Sequence, residues 1–453
     1  MVNFAEATAY TCTLVPSPPP MLTRLPYTLL WIVALPFVLL RLLWRARRQP
    51  AYLRHLGERF GRYRVRAPAA VIWVHAVSVG ETRAAEPLVR ALLQRWPDHT
   101  VVLTHMTPTG RDTSKALFKG ESRVLRTYLP YDLGCFAHAF LRRFRPVFGV
   151  VMETELWPNL LAACRRRDIP VLLANARLSE RSARRYARLP ALTALTMKGL
   201  TAIGAQTAAD AARLTQLGAR RVTVTGNIKF DIAPPDAALA LAEAFRTRIG
   251  ARPVLLAAST REGEEALLLA AFARHAGTAT LLLLVPRHPQ RFDEVAALAA
   301  ARGLKLQRRS AEAPVDADTR VLLGDSMGEM FAYYGCAEVA LIGGSWLPFG
   351  GQNLIEACAV GTPVVLGPHT FNFMAVAEEA VRAGAALRAA DADAGVRTAV
   401  ELLADPARRE HIAAAGRAFA TTHQGATART VALLEGLHPS GRVSPPGPAQ
   451  KRA

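Results

Sequence analysis

Cysteine is scarce: the 453 residues hold five, Cys12, Cys135, Cys164, Cys336 and Cys358, with no C-x-x-C among them. The nearest two are 22 positions apart, so the chain encodes no disulfide scaffold, and the thiols read as reduced and cytosolic. Acidic residues are also in deficit, 36 against 56 Lys and Arg. The resulting net charge of +20 points to an anionic partner, whether nucleic acid, a membrane surface or a phosphorylated substrate. There is no G-x-x-x-x-G-K-[ST] phosphate loop and no zinc-spaced His/Cys cluster, and no aromatic-interleaved basic patch supports nucleic-acid binding. A content of 51% hydrophobic and 20% charged residues excludes a disordered chain, and the length accommodates two domains, each with its own core.

The one long apolar run is Leu25 to Leu40, which carries no charge and continues through Leu42, Leu43 and Trp44 beyond Arg41. A span needs about 20 apolar residues, so this run can cross a bilayer only marginally or lie partly buried in it. From Arg41 to Arg66 there are nine arginines and one acid, Glu58, a net +8 (9 − 1) of the +20. The positive-inside tendency places everything after the run in the cytoplasm. A cleavable signal peptide would carry its positive charges before the apolar run, the reverse of the order here. We therefore expect a membrane anchor over residues 22–48, preceded by a disordered extension over 1–21.

Beyond the basic stretch, short apolar runs alternate with segments of helical spacing: VIWVHAV, VVLTHM, VFGVVME, VLLANA, LTAIGAQ and VTVTGNIKF. After a Pro-Pro junction near Ile232 to Asp236 the alternation restarts with PVLLAAST, TLLLLVPRH, VLLGDS, VALIGGS and PVVLGPH. This is the pattern of α/β domains with parallel, doubly wound sheets, and it predicts one domain over 49–232, a second over 233–437 and a disordered Pro-rich tail over 438–453.

Ligands of such sheets bind beyond the carboxyl ends of the strands. In HAVSVGET, Glu81 lies at the start of a helix, where a capping carboxylate or a catalytic one is equally at home. METELWPN puts Glu153 and Glu155 at the carboxyl end of a strand, two residues apart and so on one face of an extended segment, where like-charge repulsion raises one pKa or the two serve as a cap and a salt bridge, with Pro158 suited to the first turn of the next helix. Arg177, Arg181, Arg184, Arg185 and Arg188 crowd one helical face, either solvated or turned toward head groups or phosphates. PRHPQR, GDSMGEM and GGSWLPFGGQNLIEA each place Gly, a small hydroxyl residue or Arg where a helix begins, the arrangement that receives a phosphate through free N–H groups. Glu356 in the last of these can accept hydrogen bonds from ribose hydroxyls. The pairs Asp316/Asp318 and Asp391/Asp393 lie in Ala-rich loops and read as surface.

The ordered strings HAVSVGET, MTPTGRDT, YLPYD, METELWPN, ANARLSERS, TGNIKFD, STREGEE, VPRHPQRF, GDSMGEM, GGQNLIEA and GPHTFNF resemble the 3-deoxy-D-manno-octulosonic acid (Kdo) transferases of lipopolysaccharide assembly, over roughly residues 22 to 435. The resemblance implies a GT-B glycosyltransferase with two Rossmann-like domains facing a cleft, an acceptor-binding amino-terminal domain and a donor-binding carboxy-terminal one. It implies CMP-Kdo as donor, lipid IVA as acceptor, a signal-anchor at the cell inner membrane, and neither cofactor nor metal. Motif for motif, Glu81 falls on the family's proton acceptor and Glu153 and Lys229 on its transition-state stabilisers. Its CMP contacts fall on Pro286 and Arg287, on Met327, Gly328 and Glu329, and on Asn353, Leu354, Ile355 and Glu356. Many members have His where this chain has Gln352.

Overall fold

The computed structural model describes residues 20–47 and 49–437. The expected disordered tail, and all but the end of the expected extension, lie outside the described residues. The chain divides into two compact units, one reaching Gly226 and resuming at Thr427, the other running from Asn227 to Ala426. The division therefore falls six residues before the expected one at 232/233, and the last helix, Ala426–Glu435, returns almost wholly to the first unit. There Arg429 donates to the Thr225 carbonyl at 2.8 Å and Glu435 pairs with Arg95.

Strands β1 (Ala70–His75), β2 (His99–His105), β3 (Val124–Tyr128), β4 (Pro146–Met152), β5 (Val171–Ala176), β6 (Ala202–Ala205) and β7 (Val222–Val224) form the sheet of the first unit, all parallel, in the order β3-β2-β1-β4-β5-β6-β7. The second sheet, also parallel, contains β8 (Val254–Thr260), β9 (Leu281–Pro286), β10 (Leu306–Arg308), β11 (Val321–Leu323), β12 (Val339–Ile342), β13 (Val364–Leu366) and β14 (Ala386–Arg388) in the order β10-β11-β9-β8-β12-β13-β14. Helices cover both faces, which is why β5 and β9 are buried at every position and read in sequence as unbroken apolar runs. The core of the first sheet is built around Trp73, fully buried. Its neighbour on β4 has to be Gly149, because a Cβ there would come within 2.5 Å of the indole.

Three strands absent from the sequence reading, β3, β10 and β14, are short and incompletely buried, and β3 and β10 are sheet edges along with β14. The reverse error occurs at VTVTGNIKF. Only Val222–Val224 is strand, and Ile228–Asp231 is a 3-10 turn that Asn227 caps by accepting the Lys229 N–H at 3.1 Å.

The apolar run forms a helix, Pro20–Ala46. The basic flank after it is partly consumed inside the first unit. Arg59 is 2% exposed, donates to the Met106 carbonyl at 3.0 Å and stacks 4.1 Å over Tyr128, while Glu58 pairs with Arg111 at 2.6 Å.

Candidate active site

In each sheet the strand order reverses once about its first strand: between β1 and β4 in the first unit, and between β8 and β12 in the second. A crevice opens beyond the carboxyl ends at such a point. Glu81 follows β1 and Glu153 follows β4, so the first sheet brings these two carboxylates to its switch point.

Glu81 is the third residue of the helix Val79–Arg95, whose N-cap is Ser78. The Ser78 hydroxyl donates to Glu81 Oε1 at 3.0 Å and accepts the Glu81 N–H at 3.4 Å, while Glu81 Oε2 accepts the Val77 N–H at 2.8 Å. The capping reading thus holds. The catalytic one survives beside it, because no cation pairs with Glu81 among the described residues. Burial pushes its carboxyl up to about 7; the Val77 N–H and Ser78 hydroxyl oppose the rise, and the charges of Glu153 and Glu155 add to it. A half-buried carboxyl that titrates near neutrality is suited to take a proton at cellular pH.

Glu153 does not continue the strand. Its φ of 57° is left-handed, a conformation that costs a non-glycine residue about 1–3 kcal/mol, and its N–H is held by the Ala174 carbonyl at 2.9 Å. Glu153 and Glu155 are therefore neighbours across a turn rather than along an extended face. Burial first, and then Glu153, raises the Glu155 carboxyl. Pro158 takes the first position of the helix Pro158–Arg165 as expected. Lys229 belongs to the second unit, half-buried, with Nζ 5.7 Å from the centre of the Phe373 ring.

The second sheet gathers every other candidate at the carboxyl ends of β9, β11 and β12. Pro286 closes β9 and the Arg287 N–H donates to the Thr260 carbonyl at 2.9 Å. Met327 and Gly328 are exposed, whereas Glu329 is held by Arg309 through two contacts of 2.9 Å. Leu354 and Ile355 are core side chains, 0% and 1% exposed, so any ligand contact from them runs through the main chain. Asn353 accepts the Ile355 N–H at 3.1 Å and donates to Glu356 Oε1 at 3.1 Å, and Glu356 lies in the first turn of its helix. Gln352 lies against Gly344.

Sequence reasoning missed Glu264 and Glu265, although STREGEE was one of its strings. Both are 0% exposed. Glu264 accepts the N–H groups of Arg261, Gly344, Trp346 and Leu347 at 2.8, 2.7, 2.9 and 3.3 Å, and so pins the loop after β12. Glu265 accepts the Thr260 hydroxyl at 2.9 Å and pairs with Arg291 at 3.0 Å, fixing the loop after β9. Asp132 of YLPYD was missed too: 2% exposed, it caps the helix Pro158–Arg165 from outside by accepting the N–H groups of Asn159 and Leu160 at 3.0 and 2.8 Å. The string Gly324 to Gly328 also has the G-x-S-x-G spacing of a nucleophile elbow, but its Ser326 hydroxyl engages Glu329 and Tyr333 rather than a histidine. Asp316 and Asp318 pair with Lys305 near the surface, and Asp391 caps a helix. Among the described residues no group of three or more His, Cys, Asp or Glu is arranged to hold a metal ion. Of the five arginines, Arg181, Arg184, Arg185 and Arg188 stand exposed on or at the end of the helix Glu180–Ala187, and Arg177 precedes it.

Residues 54–232 match the family model described as 3-deoxy-D-manno-octulosonic-acid transferase (kdotransferase), and 259–419 match that of glycosyl transferases group 1. A 3-deoxy-D-manno-octulosonic acid transferase of Bordetella pertussis is 48% identical over 389 residues, covering 83% of this chain and 90% of that one. The chain belongs to the Kdo transferases. A Haemophilus influenzae member is 39% identical over 417 residues, covering 90% and 97% of the two chains. The fold agrees: a glycosyltransferase structure from Rickettsia africae, 12% identical, superposes with a TM-score of 0.56 over 82% of this chain and all of that one. This Kdo transferase family member is thus a glycosyltransferase enzyme of GT-B architecture, with its two Rossmann-like units each carrying motif residues at the strand ends.

Proposed function

We propose that the chain transfers Kdo from CMP-Kdo to lipid IVA at the cytoplasmic side of the inner membrane, inverting the anomeric configuration. The carrying observation is Glu81: a carboxylate at a sheet's switch point, without a cationic partner among the described residues, whose burial lifts its titration to about 7. In the proposed step a sugar hydroxyl of the acceptor attacks the anomeric carbon, its proton passes to Glu81, and the bond to the CMP phosphate breaks as the new glycosidic bond forms. Glu153 stabilises the positive charge that develops on the sugar, and Lys229 balances the donor's carboxylate or the departing phosphate.

Donor binding falls to the second unit. Arg287 neutralises the CMP phosphate, main-chain N–H groups at 327–329 and at 353 and 354 donate to it, and Glu356 accepts from the ribose. With Glu329 already paired to Arg309, its contribution is main-chain. Gln352, a neutral amide, both donates and accepts hydrogen bonds.

Mass spectrometry of lipid IVA incubated with the full chain and CMP-Kdo tests the reading. A mass increase of one or more Kdo units is expected, and Glu81→Gln should lower the rate by about 10²–10⁴ with CMP affinity unchanged. Product formed only with a UDP-sugar would move the chain to another donor, and full turnover by the Gln variant would remove Glu81 from the chemistry.

A further inference from the structure

The amino-terminal helix is covered along one side from end to end. Arg24, Tyr27, Trp31, Leu35, Leu39 and Leu42 are all at least half-covered, a stripe of period three to four that continues to Ala46. Its polar members bond into the first unit. The Tyr27 hydroxyl donates to the buried Asp132 at 3.0 Å, Thr28 exchanges hydrogen bonds with Asn159 at 3.1–3.2 Å, and Trp31 donates to Tyr27 at 2.7 Å. The Trp31 ring packs 6.0 Å from Tyr131 and 6.4 Å from Trp157. The opposite side is apolar and bare: Leu22, Leu25, Leu29, Val33, Phe37, Leu40 and Trp44 are 47–68% exposed.

This division is incompatible with a span. A 27-residue helix is about 40 Å long, so crossing a bilayer would put Tyr27 and Ala46 near opposite leaflets. Asp132 and Asn159, bonded near its amino-terminal end, would then be dragged into hydrocarbon.

Resting on the membrane location proposed above, we propose that this helix is an in-plane membrane seat: it lies along one leaflet, bare side down, with both ends on the side of the first unit, among anionic phospholipid head groups. Charge supplies the complement. The helix packs against Pro190–Met197, which follows directly on the helix that exposes Arg181, Arg184, Arg185 and Arg188. Beside the amino-terminal half of the seat lies a recess of about 670 Å³ whose lining combines Met21, Leu25 and Leu195 with Arg24, Arg165 and Arg166. Apolar side chains and cations in one recess suit an acyl chain of the same leaflet together with its anionic head group.

The test uses the full chain bearing Cys12→Ser and Cys135→Ser, with single nitroxides introduced through Leu22→Cys, Leu29→Cys or Leu40→Cys, on vesicles of phosphatidylcholine with and without phosphatidylglycerol. An in-plane seat gives all three labels the same depth within about 5 Å, as an interfacial helix requires. A span gives a depth gradient of about 27 Å from Leu22 to Leu40 and overturns the seat while leaving membrane location intact. Labels shielded from oxygen and aqueous relaxant alike would mean that a second copy covers the face, which also overturns it. Failure to float with either vesicle sinks both this inference and the location it rests on. Phosphatidylglycerol should strengthen binding about tenfold or more, and replacing Arg181, Arg184, Arg185 and Arg188 together with Ala should abolish that gain; an undiminished gain overturns the role of these arginines.

Discussion

Glu81 carries out two tasks with one carboxylate: it caps its helix and, in the proposed chemistry, accepts the acceptor's proton. The two are compatible because the cap leaves the group half-buried and, among the described residues, unpaired by any cation, and burial then sets its titration near 7. The base works only when ionised, so activity must fall as pH drops through that value. We expect an acid limb in kcat/KM with an apparent pKa of about 7, falling tenfold per pH unit below it. A profile flat down to pH 5 would exclude Glu81 as the base. Glu264 acts at one remove. Glu264→Gln keeps one acceptor oxygen but sets an NH₂ against N–H groups of the 344–347 loop, so we expect KM for the donor to rise roughly tenfold with kcat changed less. Equal losses in both would mean damage beyond donor positioning.

At the scale of elements, the loops after β8 and β12 are fitted backbone to backbone. Ser259 is left-handed at φ 56°, the pairing of β8 with β9 slips between Ala258 and Thr260, and the Ser259 carbonyl turns toward Gly343. A Cβ at 343 would come 2.4 Å from that oxygen and 2.6 Å from Thr260 Cα, distances that only main-chain movement can relieve. Gly343→Ala should therefore cost about 1–3 kcal/mol by denaturant unfolding and, by displacing the donor loop, about 10²-fold in rate. The same elements show what a sequence can carry. Strands covered on both faces, such as β5 and β9, announce themselves as apolar runs, and the Ser78-x-x-Glu81 spacing announces a cap. Edge strands such as β10 have too little burial to leave such a mark. Glu264 was illegible for another reason: its partners Gly344 and Trp346 lie some eighty residues away and use N–H groups that any residue supplies. The raised pKa of Glu81 likewise rests first on burial and then on the charges of Glu153 and Glu155 beyond the carboxyl end of β4, which only the strand order brings beside β1.

For the whole molecule, the proposed attachment to a bilayer would rest on two forces that respond differently to salt. The excess of 56 basic over 36 acidic residues gives an attraction to anionic lipid that fades as the Debye length shrinks from about 10 Å at 0.1 M to about 3 Å at 1 M salt. The bare side of the amino-terminal helix contributes roughly 1.5–3 kcal/mol for each large side chain fully buried, a term that salt does not weaken. Removing all residues before Tyr52 deletes the second force, takes five arginines from the first, and leaves the hydrophobic clusters of both units in place. The full chain should thus stay with phosphatidylglycerol vesicles in 1 M salt, while the shortened chain floats with them at low salt and is released at high salt. The shortened chain should also melt lower, because Asp132 loses the Tyr27 hydroxyl and the Trp31 packing over Tyr131 and Trp157 is gone. Retention of the shortened chain in 1 M salt would show that a surface other than this helix holds the bilayer.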